Sequence, residues 1–216
     1  MIYVLDYDAG NLLSIKRSLE FLEFKYLIIK ETKKFSNNDI LLIPGVGSFA
    51  SASKRIVHSG IHEIKSQKPC DRPFILGICL GMQLLMSYGV EGERSDGLNL
   101  ISGGVDSIFS NKPKELEIPK TLIGWEEFKL QQLINGKLNF LKKYQNQSFY
   151  HVHSYMCIPE DPKNIIATYS NELSFIPNII GDINKKILGL QFHPEKSGKV
   201  GLQLLEDIIN FFEQMQ

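Results

Sequence analysis

Cys79 stands in the run Gly77-Ile78-Cys79-Leu80-Gly81, with a glycine two residues away on each side. Before it, Phe74, Ile75 and Leu76 form a short apolar run of strand type. After it, Met82, Gln83, Leu84, Leu85 and Met86 are good helix formers. A cysteine on a sharp strand-to-helix turn is the sulfur version of the G-x-S-x-G nucleophile elbow. The glycines let neighbouring backbone come close. The start of the following helix favours thiolate over thiol, and the N–H of Leu80 is placed to donate to an oxyanion. A second stretch, Gly189 to Gly198 (GLQFHPEKSG), supplies a histidine at a strand end and a carboxylate two residues on. In extended chain His193 and Glu195 point to one side, and Pro194 restricts the backbone between them. A carboxylate beside an imidazole holds its tautomer and stabilises its charged form, so His193 can draw the proton from Cys79. Taken singly, a free cysteine is usually a small buried apolar residue, and a histidine–glutamate pair can merely close a strand. Together they point to cysteine nucleophile chemistry.

These residues need a frame. Ile2 to Leu5 reads as a buried strand, followed by the loop Tyr7 to Asn11. Leu12, Ile15, Leu19 and Leu22 recur at helical spacing, with Asn11 as N-cap. Tyr26–Ile29 and Asp39–Ile43 read as the next strands, the latter ending at Pro44-Gly45-Val46-Gly47. Ser48 to Val57 and Ile61 to Ser66 read as helices ahead of the elbow strand. Continuous apolar strands alternating with helices predict an α/β fold: a flavodoxin-like open, mostly parallel sheet covered on both faces. From Gly97 to Gly124 the pattern changes, and Gln147–Tyr155, Ile165–Tyr169, Ser174–Ile180 and Ile187–Phe192 read as closely spaced strands. An additional small mixed or antiparallel β region is expected there. Val200 to Met215 is an amphipathic closing helix. No linker or repeat divides the chain, so residues 1–216 are expected to form one domain. In open α/β sheets, ligands bind at the carboxyl ends of the strands. The Asp8–Asn11 loop, Pro44–Gly47, Cys79 and His193–Glu195 all follow such strands.

Composition narrows the class. The chain has 216 residues, an apolar fraction of 43% and zero formal net charge, which argues against a dedicated nucleic-acid or anionic-membrane binder. Cys70, Cys79 and Cys157 form neither a disulfide framework nor a metal motif, as expected in a reducing compartment. Cys70 and Cys157 read as structural or incidental. Asp6 and Asp8 interrupt the start of the chain where a signal peptide needs an apolar core. A cytoplasmic protein with no metal and no organic cofactor is expected. There is no P-loop, so ATP is not an expected ligand.

GICLGMQ and QFHPEKS together resemble the class I, triad-type glutamine amidotransferases. PGVGSF at Pro44–Phe49, YDAGN near the N-terminus, Gly124-Trp125 and His153-Ser154-Tyr155 narrow the resemblance to the glutaminase subunits of imidazole glycerol phosphate synthase, in histidine biosynthesis. The resemblance spans nearly the whole chain in order. It implies Cys79 as the nucleophile toward the glutamine amide, His193 as the base that then protonates leaving ammonia, and Glu195 as its orienting acid. It implies an oxyanion hole from Val46, Gly47 and Leu80, with a peptide of the loop turning to complete it. Gln83, Glu91, Ser154 and Tyr155 would hold glutamine. Asn11, Trp125 and Tyr150 would meet a cyclase subunit, a (β/α)8 barrel that receives the ammonia, giving a heterodimer.

The sequence departs from that pattern at Asp8, where glycine is usual. It departs again in the run Lys120 to Glu126, which lacks the usual proline–histidine pair before the Gly-Trp and the asparagine after it. Both places lie toward the partner face. They leave open a paralogous ammonia donor for amidino-sugar synthesis on surface glycans; a catalytically silent regulatory or binding subunit is a further alternative, against which the intact Cys79–His193–Glu195 set argues. A cysteine peptidase or γ-glutamyl hydrolase on the same fold is disfavoured by PGVGSF and HPEKSG.

Overall fold

The computed structural model of the chain describes residues 1–32, 34–110, 121–131, 136–171 and 174–215. Lys120, one of the departures noted above, lies outside them. The first half runs β1 (Ile2–Leu5), α1 (Leu12–Phe21), β2 (Tyr26–Ile29), β3 (Ile40–Ile43), α2 (Phe49–Ile56), α3 (His62–Ser66), β4 (Phe74–Ile78) and α4 (Leu80–Leu84). Short strands follow: β5 (Met86–Gly89), β6 (Ser95–Asp96), β7 (Ile101–Ser107), β8 (Leu122–Glu127) and β9 (Lys129–Leu130). The chain ends with β10 (Ser148–His153), β11 (Tyr155–Pro159), β12 (Ile165–Asn171), β13 (Ser174–Asp182), β14 (Ile187–Leu190) and α5 (Gly198–Gln214).

The main sheet has the order β2-β1-β3-β4-β14-β13-β12-β9. Its first five strands are parallel and the last three antiparallel. Strands β1, β3 and β14 are buried along their whole length. Side chains alternate between faces, so full burial requires cover on both sides. Ile2 and Val4 join Ile15 and Leu19 of α1 and Leu204, Leu205 and Ile208 of α5 in one core. Tyr3 and Leu5 join Phe49, Ala52 and Ile56 of α2 and Leu80 and Met82 of α4 in the other. Each such buried leucine, isoleucine or phenylalanine contributes about 1.5–3 kcal/mol. Phe212 of α5 stacks on Phe74 at 4.5 Å and so braces the strand that leads into Cys79.

The expected extra β region is a four-stranded sheet, β11-β7-β5-β6, and a separate β10-β8 pair. The sequence suggests one strand over Gln147–Tyr155, but the chain breaks at Ser154. β10 pairs with β8 and β11 pairs with β7. The helix after Cys79 also stops early, at Leu84, and Met86 opens a strand instead. The backbone N–H groups of Leu98, Leu100 and Asn99 bond the carbonyls of Leu84, Leu85 and Met86. Those carbonyls are the ones a longer helix would need, so long-range pairing overrides helix propensity. Asn11 does not cap α1: it is left-handed at φ 61°, with no side-chain cap bond. No helix among the described residues is long and apolar enough to cross a membrane.

Candidate active site

β4 and β14 are parallel neighbours with Ile78 opposite Leu190, so their carboxyl ends emerge side by side. Cys79 leaves β4 at φ 54°, ψ −108°, a conformation that costs a non-glycine residue on the order of 1–3 kcal/mol. Its N–H donates to the Leu190 carbonyl at 2.7 Å, which pins the turn to the neighbouring strand. The flanking glycines are required by close approach. A Cβ on Gly81 would lie 1.8 Å from the Ile43 carbonyl oxygen, and one on Gly77 would lie 2.6 Å from the Gly81 oxygen.

His193 follows β14 and is fully buried. Its Nδ1 donates to Glu195 Oε1 at 2.7 Å. Glu195 reaches it from a 3-10 turn over Pro194–Lys196, not from the extended chain expected from sequence. Asn11 Nδ2 donates to the same carboxylate oxygen at 2.5 Å and lies 3.4 Å from His193 Nδ1. The residue expected as a helix cap and partner contact therefore also grips the acid beside the histidine. The His193 backbone is held too. Its N–H donates to the Tyr150 carbonyl at 2.9 Å, and Ser197 Oγ donates to its carbonyl at 2.6 Å while accepting from the Tyr150 N–H at 2.9 Å. Burial alone would push the imidazole pKa down. Interaction with Cys79 and Glu195 outweighs that and raises it to about 10, so the ring is held charged at neutral pH. His193 Nε2 makes no hydrogen bond of acceptable geometry. The sulfur therefore acts on the ring through space.

Beside Cys79 is a cavity of about 230 Å³, lined among others by Val46, Gly47, Leu80, Gln83, Glu91, Ser154 and Tyr155. All seven residues expected to hold the oxyanion and the glutamine thus meet in one place. A volume below the range of drug-sized pockets suits a small metabolite. Gln83 Nε2 donates to the Tyr155 carbonyl at 3.2 Å. Glu91 Oε2 accepts from the Phe49 N–H at 2.6 Å, satisfying an unpaired amide at the start of α2. Ser154 Oγ pairs with Thr121 Oγ1 at 3.0 Å. Two expected oxyanion donors are engaged elsewhere: the Leu80 N–H meets the Gly45 carbonyl at 3.3 Å, and the Val46 N–H the Ala9 carbonyl at 2.8 Å. Gly47, at φ 117° and exposed, follows Val46 in that loop.

Trp125 is exposed and Tyr150 half-buried. They face each other across the β8–β10 pair, with ring centroids 6.0 Å apart. Ile123, two residues before Trp125 on β8, is also exposed. Sequence reasoning missed Gln191, Ser197 and Thr121. Gln191 left a signal, since a polar residue inside the apolar run Ile187–Phe192 needs a buried partner. His153 is buried in the cavity wall, and burial lowers it to about 4, so it is neutral. Cys157 is fully buried and its thiol is pushed well up by burial. Cys70 is exposed.

The model of the family "Glutamine amidotransferase class-I" matches residues 3–211. The chain belongs to the class I glutamine amidotransferases. Among its relatives within this family, the chain is 36% identical over 207 residues to "Imidazole glycerol phosphate synthase subunit HisH" of Streptococcus sanguinis, covering 95% of this chain and 94% of that protein. It is 33% identical over 214 residues to the protein of the same name from Methanopyrus kandleri, covering 96% of each. Among solved structures, "Structure of PurLQS from Thermotoga maritima" superposes with a TM-score of 0.69 at 18% identity over 97% of both chains. "Crystal structure of glutamine amidotransferase" does so at 0.62 and 16% identity, over 96% of this chain and 97% of that one. Both solved structures share the fold of this chain, a mostly parallel sheet with helices on both faces.

Proposed function

We propose that the chain is one glutaminase domain, the ammonia-producing subunit of a cytoplasmic imidazole glycerol phosphate synthase. The observation that carries the reading is the convergence of Cys79, His193 and Glu195 at the ends of adjacent parallel strands, beside a cavity of metabolite size. The near full-length relatives of that name support the pathway.

In the proposed mechanism, glutamine enters the cavity among Gln83, Glu91, Ser154 and Tyr155. Its side-chain amide carbon meets the Cys79 sulfur, and the electron pair of the C=O bond moves onto oxygen. Imidazolium His193, kept charged by Glu195, gives its Nε2 proton to the amide nitrogen as the C–N bond breaks. Ammonia and a γ-glutamyl thioester result. Neutral His193 then takes a proton from water, which adds to the thioester and releases glutamate and the thiolate. The oxyanion requires donors from Leu80 and the Val46–Gly47 peptide. The engaged N–H groups of Leu80 and Val46 fit a resting loop that must turn first, and one such donor is worth about a hundredfold to a thousandfold in rate. Ammonia released into water near neutral pH protonates and stops being a nucleophile. A partner seated over Trp125 and Tyr150, with Asn11 linking that side to the triad, would carry it away neutral and keep water out. That partner is a (β/α)8 cyclase in this reading.

The test is glutamate release by the chain alone and mixed with the cyclase of the histidine pathway, with and without the cyclase's nucleotide substrate. Slow turnover alone and strong stimulation by the loaded cyclase are expected. Cys79→Ala should abolish glutamine use while the complex still accepts free ammonia. No stimulation, with Cys79 still alkylated by a glutamine analogue, would move the ammonia acceptor to amidino-sugar synthesis. Fast glutamine use by the Cys79→Ala complex would remove the nucleophile assignment.

A further inference from the structure

Gln191 is fully buried on the strand end next to Cys79, and its Nε2 lies 3.8 Å from the sulfur. It is the one side-chain donor that meets Sγ in hydrogen-bond geometry among the described residues. Which end of an amide faces a neighbour is decided by the network around it, and here the network has one solution. The Tyr155 carbonyl has no hydrogen to give. It accepts from Gln83 Nε2 at 3.2 Å and from His153 Nδ1 at 2.8 Å. Gln83 must therefore present its NH2 group, whose second hydrogen goes to Gln191 Oε1 at 3.3 Å. Gln191 must then present its oxygen to Gln83 and its NH2 group to the sulfur. A flipped Gln191 would set two NH2 groups against each other and aim a lone pair at Sγ.

We propose that Gln191 is a further catalytic residue: a donor to the Cys79 sulfur, aligned through Gln83 by the Tyr155 carbonyl, that favours the thiolate over the thiol. An N–H donor stabilises an anionic sulfur more than a neutral one. The proton that leaves Sγ goes to His193. The five-residue helix after Cys79 is short for a macrodipole, so this buried amide carries the role expected of the helix start. Gln83, Tyr155 and His153 also line the cavity, so the seat of the substrate and the protonation of the nucleophile share one chain of bonds. The inference rests on Cys79 being the nucleophile.

The test is alkylation of the full-length chain by iodoacetamide between acid and alkaline pH, with the rate at each cysteine followed by peptide mass spectrometry. It needs no turnover, so it stands apart from the glutaminase assay that decides the proposed function. The other cysteines are controls: exposed Cys70 should keep its profile, and fully buried Cys157 should stay unlabelled while the fold holds. In Gln191→Met the pH midpoint for Cys79 should rise by about one unit, the low end of what a hydrogen bond to a charged group supplies. Gln83→Met, which frees Gln191 to turn, should move it the same way by less. If Cys157 becomes labelled in Gln191→Met, the double variant Gln83→Met/Gln191→Met, which leaves neither amide facing an apolar partner, takes its place. An unchanged Cys79 midpoint in whichever variant keeps Cys157 protected would overturn the proposal.

Discussion

Cys79 and His193 leave neighbouring parallel strands a few ångströms apart, yet the two corners are built in opposite ways. The Cys79 corner is held by backbone. A positive φ, an N–H bonded to Leu190 and two glycines pressed against carbonyl groups fix the path of the turn. The His193 corner is held by side chains. Glu195 and Asn11 grip one edge of the ring, and Ser197 ties its backbone to Tyr150. A backbone-built corner shares its contacts with the core, so damage there spreads to the fold. A side-chain-built corner can be loosened one bond at a time, with the fold intact.

The largest test of that contrast is Gly81→Ala. The added methyl meets the Ile43 carbonyl, a backbone atom that cannot step aside. We expect a loss of about 3 kcal/mol or more, seen as a fall in Tm or absence of soluble protein. A Tm within a few degrees of wild type would show the elbow to be softer than its backbone contacts imply. On the other corner, Asn11→Ala should lower glutaminase kcat by about tenfold to a hundredfold with little change in KM or Tm. An effect on KM alone would place Asn11 with the substrate rather than with Glu195. Ser197→Ala should cost about 1–2 kcal/mol, because the half-buried Tyr150 N–H loses its acceptor and the buried His193 carbonyl loses a donor. Denaturant unfolding reads this directly, and a neutral result would mean that water replaces the hydroxyl.

The mildest test is pH, since it only adds or removes protons. His153 titrates at about 4 when folded against an ordinary 6.5. Its neutral form is the one that fits, so its contribution to stability is complete above pH 6.5 and lost as pH falls toward 4. His193 titrates at about 10 against 6.5. Its contribution is complete below pH 6.5 and lost as pH rises through 10. Thermal melts should therefore weaken on both sides of neutral pH. The His193→Ala variant should lose the alkaline limb and keep the acid one. An unchanged alkaline limb in that variant would detach it from the His193 corner.

The frame, and which residues meet beside Cys79, were legible in local sequence patterns. The glycine spacing around Cys79, the His193–Glu195 pair and the buried strands β1, β3 and β14 are local patterns, and each reports its own environment. Trp125 and Glu91 stand out in the sequence only through likeness to a family, and the structure leaves the first exposed and sets the second in the cavity wall. Features that depend on residues far apart in the chain were settled by packing. Asn11 turned from helix cap to partner of Glu195 because a position 184 residues away offered a buried carboxylate. The elbow helix stopped at Leu84 because the Leu98–Ile101 segment claimed its carbonyls. The direction of the Gln83–Gln191 amides follows from a carbonyl on another strand, which can only accept. Propensity and spacing are sums over near neighbours. A hydrogen bond between distant side chains is settled only when the packed sheet brings donor and acceptor together and removes water as the alternative partner.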